Sequence, residues 1–364
     1  MNRGGRYAVL ALVWAAVVAY IVCAAAAARA RRAAQTVRGI VIDVTDSSSQ
    51  GHLVSSRQVR EWIARSGIPT LGAKVSEVNL AGIEELIARN GFVDEANAYI
   101  TYGGELCVDI SQRRPVLRLL TDGMNAYVTS RGYVFAAPAR SSLYVPVVTG
   151  SFRLPFPASW TGFAKDCIEA EKRKIDERIA ELEREKYPFY KRERDNDENI
   201  RALRRMRIKK GWFEREEAFA GRVRELRAKK EALRRRYRYE ERLVGEGIAR
   251  IEARQEAERA KQKKLEKSYE DFCKLITFVE FVESDDFWRS EVVQIVASTS
   301  DSGALEVALV PRSGTHTVLF GRIEWVEEKF DKLLRFYRHG LNHLGWDRYR
   351  TVDVRYAGQV VCRK

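Results

Sequence analysis

The sequence predicts an α+β protein: one N-terminal transmembrane helix, a β-α-α-β-β module, and a mixed β domain with flanking helices that is interrupted by an α-helical coiled-coil insert. Three observations lead to this reading. A single uncharged run of 22 residues, Tyr7 to Ala28, opens the chain, and no later stretch stays apolar for as long. Strand-like alternation and amphipathic helical spacing fill 37–114, 115–162 and 274–364. Between the last two, residues 163–273 change abruptly to a heavily charged helical composition.

At about 1.5 Å of rise per residue the opening run covers roughly 33 Å, slightly more than a hydrocarbon core of about 30 Å. It leaves residues 1–6 as a short tail and everything after it on one side. Arg3 and Arg6 precede the run while Arg29, Arg31, Arg32 and Arg38 follow it, so counting positive charges alone slightly favours a cytoplasmic C-terminal side. Ala24 to Ala30 would also serve as a signal-peptide cleavage site. The run exceeds the roughly 7–15 residues of a signal core and arginines follow closely, which favours an uncleaved anchor.

The net charge is +14. Between Ala164 and Glu270 stand 34 Lys and Arg against 25 Asp and Glu, so most of the excess belongs to one segment. Its plain reading is a solvated helical surface laced with i,i+4 pairs; a basic face for anionic headgroups or an acidic partner is the sharper one. Five cysteines without CxxC or metal-ligand spacing argue against a disulfide scaffold and a zinc site.

In the first soluble module, Ile40, Ile42 and Val44 alternate as a half-buried strand. Ser55 as N-cap, Gln58 at N3, and Val54 with Val59 as a staple predict a helix start, and Gly67 with Pro69 its end. Asn79 caps a second helix carrying Leu80, Ile83, Leu86 and Ile87, which Asn90-Gly91 stops. Ala98–Tyr102 and Leu106–Ile110 around Gly103-Gly104 read as a hairpin. Short strands are then expected at Ala126–Thr129, Tyr133–Ala136 and Tyr144–Thr149, the last two separated by Pro138–Ser142.

In the insert, Phe219, Val223, Leu226, Leu233, Tyr237 and Val244 keep a 4-3 spacing, interrupted by Lys230 and Glu240, and Ile168, Ile175, Ile179 and Leu182 form a shorter seam. Tyr187-Pro188, Gly211 and Gly245-Glu246-Gly247 are expected to break it into three or four helices, most simply an antiparallel hairpin or small bundle. After it come a helix bearing Leu275, Phe278, Val279 and Val282, strands at Val292–Val296, Leu305–Val310 and Thr315–Phe320, a helix from about Trp325 to Gly340, and one final strand over Thr351–Cys362.

The order strand, helix, helix, strand, strand beside a membrane anchor resembles a POTRA domain. The ordered blocks FVESDDFW, QIV, EVALVPRSGTHTVLFG, EEKFDKLLRFYRHGL, GWDRY and VDVRYAGQVVC resemble the C-terminal β domain of FtsQ/DivIB cell-division proteins, particularly Bacteroidota-like members. NGFVDEANAYITYGGELCVDISQRRPVLRLL and DGMNAYVTSRGYVFA resemble the POTRA domain and its junction with that domain. No single motif is specific, but the ordered set is; the long charged helical insertion departs from the family. The resemblance implies a bitopic divisome scaffold in the cell inner membrane, with a cytoplasmic N-terminus and the bulk periplasmic, concentrated at the division septum. It implies FtsB/FtsL-type divisome proteins as partners, and through them support of septal peptidoglycan synthesis.

The residues themselves suggest no chemistry. His339 and His343 stand four apart at a helix end, but Gly340 occupies the position where a zincin needs Glu and no third ligand is apparent. Asp285-Asp286 before Phe287-Trp288 reads as a turn or helix cap. No cofactor, small-molecule substrate or nucleic-acid partner is expected. A POTRA-bearing envelope assembly or translocation accessory protein is the alternative; a third possibility is an envelope enzyme or peptidoglycan-binding anchor with its site in the insert.

The resemblance places the partner site on the final strand, where VDVRY aligns with the family's pattern and the edge receives a strand from FtsB. The expected residues are Val354, Arg355, Tyr356, Ala357, Gly358 and Gln359, with Tyr356 as hot spot and Arg355 pairing a partner acid. The competing reading makes Tyr356 ordinary core, with the edge covered by a loop. In the periplasm the implied topology permits oxidation, and Cys167 and Cys273, near the two ends of the insert, are a possible disulfide if its outer helices run antiparallel. Cys107 and Cys362 are expected to stay reduced.

Overall fold

A computed structural model of the chain describes residues 3–45, 53–121, 123–138 and 142–364, with side chains of the first helix described over 13–29. That helix, α1, runs Arg3–Ala34. Trp14, Tyr20, Ile21 and Val22 on it are exposed. Among the described residues no helix is long and apolar enough to cross a membrane; of the expected span, the side chains of residues 7–12 lie outside the described ones. The chain separates into two compact units, one of residues 1–153, 157–163 and 273–364, the other of 154–156 and 164–272.

The first unit begins with β1 (Gly39–Thr45), α2 (Ser56–Arg65), a 3-10 turn at Val75–Glu77, α3 (Leu80–Ala88), β2 (Val93–Ile100) and β3 (Glu105–Gln112). Ser55 and Gln58 form the expected reciprocal capping box, and the Asn79 side chain accepts from the Gly82 N–H. The sheet order is β1-β3-β2, with β1 parallel to β3. Val59 and Ile63 of α2 with Ile83 and Ile87 of α3 are buried in the same core as Leu106, Val108 and Ile110. β2 begins five residues before the expected start, because a register shift between Val93 and Glu95 breaks the alternation that sequence pattern relies on.

A ten-stranded mixed sheet follows. Its N-terminal half holds β4 (Pro115–Thr121), β5 (Met124–Thr129), β6 (Tyr133–Ala136), β7 (Val147–Thr149) and β8 (Gly162–Phe163). Residues 139–141 of the expected Pro138–Ser142 turn lie outside the described residues. β4 was not legible as a strand: Val116, Leu117, Leu119 and Leu120 blur an alternation that burial makes plain, with Pro115, Leu117, Leu119 and Thr121 inward. Phe135 joins the small module to this sheet. Its ring lies 5.8 Å from Phe92 and 5.7 Å from Tyr127, and the Arg113 guanidinium stacks 3.5 Å over Tyr133.

The second unit consists chiefly of α4 (Ala164–Arg205) and most of α5, a helix spanning Glu216–Ser284. The expected breaks at Pro188 and at Gly245-Gly247 are not breaks. Pro188 stands on an exposed face, so the carbonyl it leaves unbonded is at the surface. Gly247 lies against the Phe189 ring, where a Cβ would come within 2.2 Å of Cε1, so this glycine serves close helix contact. The chain turns once, at 206–215, giving an antiparallel hairpin. Lys172 bonds Glu266, Lys186 bonds Glu252, the Asn196 amide donates to the Tyr237 carbonyl, and Lys230 donates to the Met206 carbonyl, a ladder converging on the turn. Burial works against the Lys186 charge, yet Glu183 and Glu252 outweigh it and hold its pKa above the usual lysine value. All five cysteines are free thiols, so the possible Cys167–Cys273 bond is not formed in this structure; burial pushes the Cys167 thiol up.

The rest of the first unit is α6 (Asp286–Glu291), β9 (Val292–Thr299), β10 (Leu305–Pro311), β11 (Thr317–Arg322), α7 (Val326–Phe336), a π turn at Tyr337–Leu341, a helical turn at Asn342–Leu344, β12 (Thr351–Asp353) and β13 (Val361–Arg363). Asp285 caps α6, accepting from the Phe287 and Trp288 N–H groups. Phe278, Trp288, Phe320 and Phe330 pack with centroids 4.7–5.8 Å apart against the sheet. The sheet order is β13-β12-β11-β10-β9-β7-β4-β5-β6-β8.

The halves meet where β7 and β9 run parallel, Val148 opposite Ile295. Gln294 donates to the Thr149 hydroxyl at 2.6 Å and Thr121 to the Gly150 carbonyl at 2.6 Å. Gly150 has φ +102°, and a Cβ there would stand 2.2 Å from the Ala297 carbonyl oxygen. Gly150→Ala is therefore expected to destabilise the fold by about 2 kcal/mol or more, read as a lower urea midpoint in detergent solution.

His316 is buried, its Nε2 3.0 Å from the Tyr337 hydroxyl. Burial pushes its pKa below the usual histidine value, against the opposing pull of Glu291, the Trp346 carbonyl and Asp347. The unfolded chain then takes up the proton first, so this contribution is full above about pH 6.5 and is lost as pH falls below it. The urea midpoint should drop between about pH 7.5 and 5.5, with a shallower drop in His316→Gln.

Candidate partner-binding site

The expected final strand is two strands. β12 ends at Asp353, and the chain loops through 354–360 and returns as β13, antiparallel to β12 with Val352 opposite Cys362. On its other side β12 pairs with β11. Neither edge of β12 is open, and the edge at this end of the sheet is the three-residue β13. The reason is local: Gly358 adopts φ +70°, the left-handed conformation of a turn, inside what the pattern reads as continuous alternation.

The expected site residues nonetheless lie together. Val354, Arg355, Tyr356, Ala357 and Gly358 form one wall of a cleft of about 970 Å³, opposite residues of α7 and the end of β11. Gln359, at the end of the same loop, is not part of that wall.

Two interactions hold the loop. The Arg355 guanidinium forks onto Asp353, with Nε to Oδ1 at 2.9 Å and Nη2 to Oδ2 at 2.7 Å, and the Arg355 N–H donates to the same Oδ1. Burial raises the Asp353 pKa, but the bonds from Arg355 outweigh it and leave the carboxyl below its usual value. Gly321 makes room for this fork, since a Cβ there would lie 2.7 Å from Arg355 Cδ. From α7, the Lys332 ammonium donates to the Val354 carbonyl at 2.8 Å and to the Tyr356 carbonyl, and burial lowers its pKa. Beneath it Lys329 is buried, donating to the Phe320 and Arg322 carbonyls.

What the cleft presents outward is aromatic. Tyr356 is 47% exposed and Trp325, which lines the same cleft, 71% exposed. Tyr356 is thus surface and not core, while Arg355 spends its fork on Asp353 rather than standing free for a partner. Trp325, Lys329 and Lys332 were not anticipated. Trp325 carries a signal only in three dimensions: at φ 55° it is the non-glycine residue held in the left-handed region among the described residues, just before α7. Glu306, Glu324, Glu328 and Asp331 also line the cleft, together with Arg322 and Arg335, so charged side chains accompany the aromatic pair. Among the described residues no cluster of three His, Cys, Asp or Glu side chains is placed to hold a metal.

Removing the charge in Asp353→Asn should cost about 2 kcal/mol of stability, since the partly buried Arg355 loses its counter-charge. Hydrogen exchange should quicken at Arg355–Gly358 more than elsewhere; unchanged exchange there would mean that Lys332 alone holds the loop.

Two family models match the chain: one described as FtsQ/DivIB, C-terminal related, over residues 258–363, and a POTRA-like domain over 35–111. The first covers every residue of the cleft. No match to a curated protein was found.

Proposed function

We propose, since this chain belongs to the FtsQ/DivIB family, that it is a non-enzymatic scaffold of cell division, anchored by the apolar run Tyr7–Ala28 with the bulk of the chain periplasmic. In this reading it concentrates at the division septum and binds FtsB/FtsL-type partners, through which it supports septal peptidoglycan synthesis. The observation that carries the partner half is the cleft: two exposed aromatics, Trp325 and Tyr356, line it beside a loop held by the Arg355–Asp353 fork and by Lys332. Aromatic anchors on a rigid frame are what interface hot spots consist of, because little side-chain freedom remains to be lost. Recognition then runs through side chains in the cleft, supplemented by the short β13 edge.

A fluorescent fusion should collect at midcell in dividing cells; a uniform envelope signal would favour the alternative, a POTRA-bearing assembly or translocation accessory. For the partner, Tyr356→Ala and Trp325→Ala should each weaken binding of an FtsB-type peptide about 30-fold, equivalent to about 2 kcal/mol, measured by calorimetry. Unchanged affinity in both variants with an unchanged circular dichroism spectrum would remove the cleft from consideration.

A further inference from the structure

The turn of the helical hairpin has a composition unlike the helices that lead to it. From Asn199 to Phe213 there are six basic residues, Arg201, Arg204, Arg205, Arg207, Lys209 and Lys210, and no acidic one. The basic excess continues into the start of α5, where 222–238 holds nine Lys and Arg against two acids, but there acids are interspersed and form pairs such as Arg235–Glu231 and Arg236–Glu240. At the turn itself Trp212 is 95% exposed and Phe213 96% exposed, with Met206 at 41%. Arg204, Arg205, Arg207 and Lys209 make no ion pair among the described residues, while Lys210 pairs with Glu216 and Arg222 with Glu214. The turn is held in shape: the Glu214 carboxylate also accepts from the Gly211 N–H at 2.9 Å, and Lys230 caps the end of α4 through the Met206 carbonyl.

Exposing two large aromatic rings this fully is unfavourable in water, and neither has a neighbouring apolar wall to complete a pocket. We propose that this turn docks on the surface of an anionic lipid bilayer, Trp212 and Phe213 entering the headgroup region while the unpaired cations face lipid phosphates. Charge complementarity selects the class of occupant: an acid-free cationic segment calls for a polyanion. The shape selects among polyanions, because a projecting pair of rings without a groove suits a soft, deformable surface, and aromatic side chains favour the bilayer interface when cations flank them. α4 alone is about 63 Å long at 1.5 Å per residue, so the turn lies far from the base of its own hairpin.

The test uses the full chain reconstituted into nanodiscs of neutral phosphatidylcholine, mixed with vesicles and floated on a density gradient. The discs should co-float with vesicles containing phosphatidylglycerol and not with phosphatidylcholine vesicles. Trp212→Ala with Phe213→Ala, and separately Arg207→Glu with Lys209→Glu, should each cut that co-flotation about tenfold or more; each cation near an anionic surface is worth about fivefold in partitioning. Both pairs are exposed, so helical circular dichroism should not change, which separates loss of docking from loss of fold. Co-flotation of the unaltered chain with neither vesicle would overturn the proposal. So would a result in which only the charge variant loses binding and heparin or single-stranded DNA competes fully, since that identifies a polyanion surface without membrane entry. Midcell recruitment of the Trp212/Phe213 variant, which the cleft reading expects to persist, keeps this outcome distinct from failure of the proposed scaffold role.

Discussion

The parallel pairing of β7 with β9 is the constraint on which the larger sheet depends, because strands from the two sides of a long helical excursion meet there and nowhere else in the strand order. Only three residue pairs make the ladder, so its side contacts matter: Gln294 on Thr149, Thr121 on Gly150, and the Arg153 N–H on Thr299. Gly150 lets the backbone pass the Ala297 carbonyl at a distance no side chain permits. Inserting a long segment at such a place is thermodynamically mild. Loop-closure cost grows only with the logarithm of length, about 0.6 kcal/mol per doubling, and a hairpin that folds on itself returns its own ends without drawing even on that.

The hairpin solves a different problem, that of register between two long helices with few large apolar residues. Ile168, Ile175, Leu182, Leu203, Val244 and Ile251 are buried, but among them sit Lys186, Asn196, Gln255 and Ser268, also buried. Burying polar groups costs free energy unless each is bonded, and here Gln255 donates to both the Ile179 carbonyl and Glu183 while the Asn196 amide donates to the Tyr237 carbonyl, its own Oδ1 staying buried without a partner. Such bonds are satisfied in one alignment and orphaned by a slip of one turn. They favour a single register at some expense of stability, as a polar residue in a helical seam does.

How much of this was legible in the sequence follows from the range of each signal. Caps and staples are local, so Ser55, Asn79 and Asp285 announced their helices correctly. Pro188, Gly245 and Gly247 misled because their effect depends on what lies opposite: solvent for the proline, the Phe189 ring for Gly247. β4 was hidden by apolar residues on both faces, since Val116 and Leu120 stand on the outward face, where Leu120 is half exposed. In the site, the residue cluster 354–358 was found through a resemblance, whereas its Trp325 and Lys332 neighbours come from a helix some thirty residues away whose packing no pattern encodes.

Under the proposed function, the division of the last strand changes how the cleft would recognise a partner. An open edge on β12 would offer a row of main-chain groups and take affinity from backbone bonds, with side chains setting register. β13 occupies that edge, and as the new edge it is short and carries Arg363, features that discourage unselective strand addition. In the proposed reading, specificity would rest on the loop that links the two strands. That loop keeps its shape because Asp353 is ionised and bonded beneath it, and because Lys332 gives its ammonium to two loop carbonyls. Opening the loop would therefore break both the Arg355–Asp353 fork and the Lys332 bonds. Arg355 and Lys332 thus serve the frame, and the exposed rings of Tyr356 and Trp325 are the groups left for contact.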